Sequence, residues 1–331
     1  MGSDVAGDST GRRATGSLGG GGSRSEATSW ARRALRAAVA GLRDFAYAGP
    51  RPKQGPQLPG VRPRLGLALG GGFARGLAHI GVLKVLQANR IPIDALAGTS
   101  AGAVAAAALA CGRPLDESME HARGMRWSSV GRWTIPSLGF ATNQRMERML
   151  TAMLGCTRFE DLKIPLAVVA ADISTGETVI FRSGDLIQPI RASCSVPGLF
   201  VPVEIEGRML VDGAIVSNVP VGALRDFGVD VKVAISLGAG ERPRRPKNLF
   251  QVVGNAFQIA EAQAEDRWRR QCDLVIEPDV AAFDWDDFEH FSELVRAGEV
   301  AARRSLPALR GLLEGVRSQK TGEQGGVRRQ E

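Results

Sequence analysis

One short stretch limits what this chain can fold into. In Asp94-Ala95-Leu96-Ala97-Gly98-Thr99-Ser100-Ala101-Gly102, apolar residues come first, as in a buried strand, and the small-residue run Ala103 to Cys111 follows, as in a buried helix. Between them sits Gly98-x-Ser100-x-Gly102. A serine on a sharp strand-to-helix turn is held in a strained backbone with its oxygen exposed. Side chains at the two glycine positions would collide across so tight a turn. Ser100 also precedes a helix N-terminus, where the dipole favours developing negative charge. Ser100 is therefore the candidate nucleophile.

Two further stretches fit the same chemistry. Upstream, Leu65 to Leu69, then Gly70-Gly71-Gly72-Phe73-Ala74-Arg75-Gly76, then Leu77 to Asn89 reads as strand, glycine loop and helix. Consecutive glycines leave bare N–H groups that can turn toward an anion, and the following helix adds its dipole. A dinucleotide fingerprint fails because Arg75 stands where its last glycine belongs, and a P-loop fails because Leu77 follows Gly76. Downstream, Met209-Leu210-Val211-Asp212-Gly213-Ala214 ends an apolar run on a carboxylate and a turn glycine. An oxyanion donor, a nucleophile and a base, each at the end of a strand, form one constellation.

With these motifs the chain resembles the patatin-like phospholipase family, and within it the small bacterial members and the catalytic domain of neuropathy target esterase. The resemblance rests on Arg75-Gly76, Ala78-His79-Ile80-Gly81, Gly98 to Gly102, Ile190 to Gly198 and Asp212-Gly213-Ala214, and runs from about Leu65 to about Leu313. It implies a Ser-Asp dyad that uses no histidine, with Ser100 as nucleophile and Asp212 as proton acceptor. It also implies an oxyanion hole drawn from Gly70, Gly71, Gly72 and Ala101, with Arg75, Gly76, Gly98, Gly102 and Gly213 supporting the motifs. The activity implied is hydrolysis of acyl esters in phospholipids or lysophospholipids through an acyl-enzyme, a lipid-metabolic role that needs no cofactor and no metal. Phe73 departs from the pattern, since relatives often place a fourth glycine there. Two alternatives stay open: a triad completed by His290, and a catalytically weak lipid-binding or scaffold module on the same fold.

Composition narrows the setting. Hydrophobic residues make up 44% of 331, enough for a globular core. Strands alternating with helices imply a mostly parallel sheet between helical layers, and with the resemblance the expectation is an α/β, patatin-like three-layer α/β/α sandwich. The four cysteines show no C-x-x-C pairing and read as buried, reduced thiols of a cytoplasmic protein. The three histidines are scattered, so no metal cluster is visible. A net charge of +7 favours anionic partners. A membrane surface fits better than nucleic acid, because aromatic residues do not interleave the basic ones.

Along the chain, 1–27 is Gly/Ser-rich and reads as disordered, and 49–63 as a Pro/Gly linker. Between them, 28–48 reads as a basic amphipathic helix. Trp30, Leu35, Val39, Leu42 and Phe45 share one half of its wheel, with Arg32, Arg33, Arg36 and Arg43 on the other. Such a helix either lies at the inner membrane surface or docks its apolar face on the catalytic domain. The catalytic domain is placed at 64–314 and a flexible tail at 315–331. Within the domain, Arg75 either anchors a substrate phosphate or pins its own loop, and His79 is a packed or capping residue. The Trp-containing segment Arg126 to Phe140 covers an acyl pocket, touches lipid, or is an ordinary connection. Asp172, a rival carboxylate, falls at a hairpin turn, where Asp is common. Phe288 to Leu313 reads as terminal helices. The oligomeric state has no signature in the sequence.

Overall fold

The computed structural model describes residues 46–48, 62–124, 131–134, 138–238, 245–246, 249–284 and 286–327. Its first half contains β1 (Ala46–Ala48), β2 (Leu65–Leu69), α1 (Leu77–Ala88), β3 (Ala95–Thr99), α2 (Ala101–Ala110), α3 (Leu115–Arg123), β4 (Arg132–Trp133), β5 (Gly139–Thr142) and α4 (Gln144–Leu154). There follow β6 (Leu166–Asp172), β7 (Thr178–Phe181), α5 (Ile187–Ser193), β8 (Gly198–Phe200), β9 (Val203–Ile205), β10 (Arg208–Asp212) and α6 (Ala214–Ser217). The chain closes with β11 (Val231–Ile235), α7 (Leu249–Arg269), β12 (Leu274–Ile276) and α8 (Phe291–Val327).

The pleat of β2 sets the layering. Leu65, Leu67 and Leu69 point to one face of the sheet, where Val82, Leu83 and Leu86 of α1 pack on them. Ala68 points to the other face, against Val221, Leu224 and Trp268. Both faces are thus covered by helical structure, as parallel strands require. The sheet runs β1-β7-β6-β3-β2-β11-β12, with β10 on β6 and β9 on β10. The β6–β3–β2–β11–β12 run is parallel throughout, whereas β7 and β10 lie antiparallel to β6. This is the three-layer, mostly parallel α/β sheet expected. A small second sheet, β4-β5-β8, lies beside it.

The helical layer that matters for the site is built from α1, α2 and α4. On α4, Met146, Leu150, Met153 and Leu154 are buried at the i, i+4, i+7, i+8 spacing of an amphipathic helix. On the outer side, α8 crosses α1 with backbone against backbone: a Cβ added at Gly298 would come within 1.9 Å of the Ala78 carbonyl oxygen, and one at Gly81 within 1.9 Å of the Val295 oxygen.

Three readings change here. First, Cys111 and Cys156 are joined in a disulfide, with Cα atoms 6.2 Å apart, while Cys194 and Cys272 are free. Cys111 caps the C-terminus of α2 and Cys156 follows Gly155, the left-handed C-cap of α4. Two packed helices thus bring together thiols that stand 45 residues apart in sequence, beyond the reach of any short-spacing rule. The reduced-thiol argument for a cytoplasmic setting loses these two residues. Second, one helix, α8, replaces the expected terminal helices and reaches Val327, with Pro307 inside it. Third, Ala46–Ala48 pairs with β7 as a strand rather than ending the amphipathic helix; the remainder of that helix, and the linker up to residue 61, lie outside the described residues. Among the described residues no helix is long and apolar enough to cross a membrane.

Candidate active site

β6 brings the two motif strands together. On one edge its first half pairs in parallel with β3, ending at Thr99 opposite Val169. Its second half pairs antiparallel with β10, beginning at Asp212 opposite Ala170. The other edge of β6 is taken by β7. β3 and β10 therefore run toward each other along one rail, and their tips meet at consecutive positions. Ser100 is the first residue beyond the tip of β3, and Asp212 is the last of β10.

Ser100 holds φ 53° and ψ −126°, in the positive-φ region that glycine favours. Such a backbone costs on the order of 1–3 kcal/mol and persists only where its surroundings impose it. Here the Ser100 N–H donates to Ser193 Oγ at 2.8 Å, and that hydroxyl donates to the Val169 carbonyl at 2.6 Å. The turn is also sterically tight. A Cβ at Gly98 would lie 2.5 Å from Ala103 Cα, across the turn as expected. One at Gly102 would instead strike the Leu69 carbonyl oxygen at 2.2 Å, at the end of the neighbouring strand.

Asp212 is 2% exposed. Burial pushes its carboxyl up to about 7, against the opposing pull of the Ala214 N–H, which donates to Oδ1 at 2.9 Å, and of the Ser100 hydroxyl. Cys194 lies beside the pair. Burial and the Asp212 charge push its thiol up, so it stays protonated and serves as wall rather than nucleophile. Gly213 is required by contact, because a Cβ there would meet the Val169 carbonyl oxygen at 2.4 Å.

The glycine loop faces Ser100 from β2. Of its amides, Gly70 N–H donates to Ile235 O at 3.0 Å and Gly71 N–H to Asn218 Oδ1 at 2.9 Å. The Asn218 amide is held in turn by the Glu261 carboxylate. Among the described residues, the amides of Gly72 and of Ala101, at the start of α2, have no partner. Of the four expected oxyanion donors, the structure leaves two free to meet a ligand and engages the other two elsewhere. His79 is fully buried, with Nε2 2.7 Å from the Gly70 carbonyl, and burial lowers its pKa to about 4. The neutral ring donates through Nε2 and fixes the loop. Arg75 donates from Nε and Nη2 to the Phe283 carbonyl at 2.9 and 2.6 Å, which ties the glycine loop to that segment. Gly76 packs under α2, where a Cβ would meet the Ala101 Cβ at 2.4 Å.

Ser100 opens into a cleft of ≈ 860 Å³, its open mouth included. The walls are α1, α2 and α4, joined by Leu115, Cys194, Phe73 and Phe288. Apart from Ser100 the side chains lining it are hydrocarbon or sulfur. Phe73, the departure from the family's glycine, has φ 50°, so the glycine preference there is conformational. Its ring meets that of Phe288 with centroids 5.4 Å apart.

The rival groups lie elsewhere. His290 is half-exposed, with Nδ1 2.7 Å from Asp287 Oδ1, and lines no part of the cleft. Asp172 Oδ1 accepts the Ser174 N–H at 2.9 Å and closes its own turn. Trp133 and Leu138 are more than half exposed, and no described residue of 126–140 lines the cleft. Ser193, Asn218, Glu261 and the Met146–Met149–Met153 wall were not singled out as site residues. Only Ser193 lay within a recognisable motif.

Residues 67–225 match the family model for patatin-like phospholipase, and it is this family that the chain resembles. The curated relatives carry the related name. An uncharacterised NTE family protein of Mycobacterium tuberculosis is 39% identical over 182 residues, 54% of this chain and 50% of that protein. A lysophospholipase NTE1 of Coccidioides immitis is 30% identical over 281 residues, 74% of this chain and 18% of that protein. The chain thus spans half or less of the length of these relatives. Among solved structures, VipD from Legionella pneumophila is 16% identical with a TM-score of 0.46, covering 77% of this chain and 67% of that one.

Proposed function

We propose that this chain is a serine hydrolase that cleaves acyl esters of phospholipids or lysophospholipids through Ser100 and Asp212, working at an anionic membrane surface. The observation that carries the reading is the meeting of β3 and β10 on β6, which sets a strained serine beside a buried carboxylate. Asp212 takes the Ser100 proton as Oγ attacks the ester carbonyl. A carboxyl raised to about 7 is a far better base than an exposed one, because its pKa approaches the operating pH. The oxyanion is received by the Gly72 and Ala101 amides, aided by the α2 dipole; each such donor contributes roughly 3 kcal/mol in related chemistry. Asp212 returns the proton to the leaving alkoxide, giving an acyl-Ser100 ester. It then deprotonates the water that releases the fatty acid. The lysophospholipase name of one relative and the hydrocarbon lining of the cleft support a lipid acyl group over a polar one.

The test is direct. Ser100 reacts with a fluorophosphonate probe, and Ser100→Ala and Asp212→Asn each remove at least about a hundredfold of ester hydrolysis in folded protein. His290→Ala keeps most of it. Near wild-type turnover in Asp212→Asn rules out the dyad, and a loss in His290→Ala equal to that in Ser100→Ala favours a triad. A chain that neither labels nor turns over is the lipid-binding module instead.

A further inference from the structure

The depth of the cleft is legible in three independent helices. On α2 the lining residues Ala101, Val104, Ala105 and Ala108 follow one face, and Ala108 lies eight residues beyond Ser100, a rise of about 12 Å. On α4 the lining spans Met146 to Met153, about 10 Å. On α1 it spans Leu77 to Leu83, about 9 Å. Ala108, Met153 and Leu83 are the last lining residues of the three helices, and Leu115, buried at the start of α3, lines the cleft as well. The next residue along that face of α2 is Cys111, which is bonded to Cys156 at the end of α4. Each cysteine stands three residues, about one turn, beyond the last lining residue of its wall, so the disulfide opposes the parting of the two walls.

We propose that α2 is a gauge of acyl-chain length, admitting about ten carbons beyond Ser100, with Ala108, Leu115 and Met153 as its end stop. The inference rests on the hydrolase reading above and specifies its substrate as medium-chain acyl esters. An extended chain advances about 1.2 Å per bond, as the backbone does at about 3.6 Å for three bonds, so about 12 Å holds about ten. No polar side chain waits at the floor to receive a head group, and burying one there would cost free energy without compensation. The cleft therefore takes the alkyl end of the substrate and leaves the head group at the mouth.

The experiment measures kcat/KM of the full chain on p-nitrophenyl esters from butyrate to palmitate, each at the same mole fraction in neutral detergent micelles. Until the cleft is full, each methylene passes from micelle to cleft, one apolar setting to another, and the rate constant changes by less than about twofold per methylene. It then breaks near ten carbons. Ala105→Leu places a side chain in the cleft one turn nearer Ser100 and moves the break to about six carbons. Leu115→Ala removes the stop and moves the break outward. The break is read from ratios within each protein, so a lower folded fraction in a variant leaves it in place. A profile with no break up to palmitate, or the same break in all three proteins, overturns the gauge. Absence of turnover on every ester, with no fluorophosphonate labelling of Ser100, overturns the hydrolase reading itself and the gauge with it.

Discussion

Asp212 shows what one buried carboxyl does to the whole protein. Its pKa stands at about 7 in the folded chain against an ordinary 3.8. Between those values the folded state keeps a proton that the unfolded state has lost, so stability falls as pH rises, by about 4 kcal/mol across the window. Asp212→Asn removes that penalty and still accepts the Ala214 N–H. The variant is therefore expected to melt several degrees above wild type at pH 8 and to converge with it near pH 4. Equal melting temperatures at pH 8 would show that the carboxylate is not desolvated. His79 acts with the opposite sign: its folded pKa is lowered to about 4, so both proteins lose stability as pH falls from 6.5 toward 4. The residues of this site were unevenly legible. Ser100 and Asp212 stand in local patterns, strand then turn, that a sequence displays. The oxyanion donors do not, because which glycine amide remains free depends on Ile235 and Asn218, more than a hundred residues away.

At the scale of elements, long periodic segments were readable and short ones were not. α4 buries Met146, Leu150, Met153 and Leu154 at helical spacing, and β6 is an apolar run buried throughout. β8 and β9, three residues each, are too short to display a period; β8 gains its hydrogen bonds from the distant β5, and β9 pairs with β10 across the turn Glu206-Gly207. The crossing of α1 and α8 had a signal that went unused, a glycine inside each helix, Gly81 and Gly298. It yields a paired prediction. Gly298→Ala should destabilise the protein by about 1–3 kcal/mol, because the new methyl meets the α1 backbone and not a flexible side chain. Gly311→Ala, in the same helix with nothing within 4 Å, should stabilise it by up to about 1 kcal/mol through helix propensity alone. Urea melts of the two variants check both signs. Equal effects would mean that the helices do not touch at Gly298.

At the scale of the molecule, β1 changes how the N-terminal segment must be tested. It covers the edge of β7, so a truncation that removes it exposes unpaired strand as well as deleting the basic segment. Removing 1–44 keeps β1. That chain should melt like the full one but sediment less with anionic vesicles, since four arginines contribute about 1 kcal/mol each at such a surface. Removing 1–61 should lower the melting temperature as well. If the shorter truncation lowers the melting temperature and leaves vesicle binding unchanged, the segment docks on the domain instead. The placement of Ser100 and Asp212 has a consequence for anyone moving this chemistry to another protein. The two residues are indexed on seven consecutive residues of one strand, like two runners stopped on one track, and their separation is a property of that strand's ladder rather than of the side chains around them. A one-residue slip of β10 would turn Asp212 to the opposite face of the sheet. What a designer must copy is therefore the shared rail and its two opposed half-strands; the motifs alone would not bring a serine and an aspartate face to face.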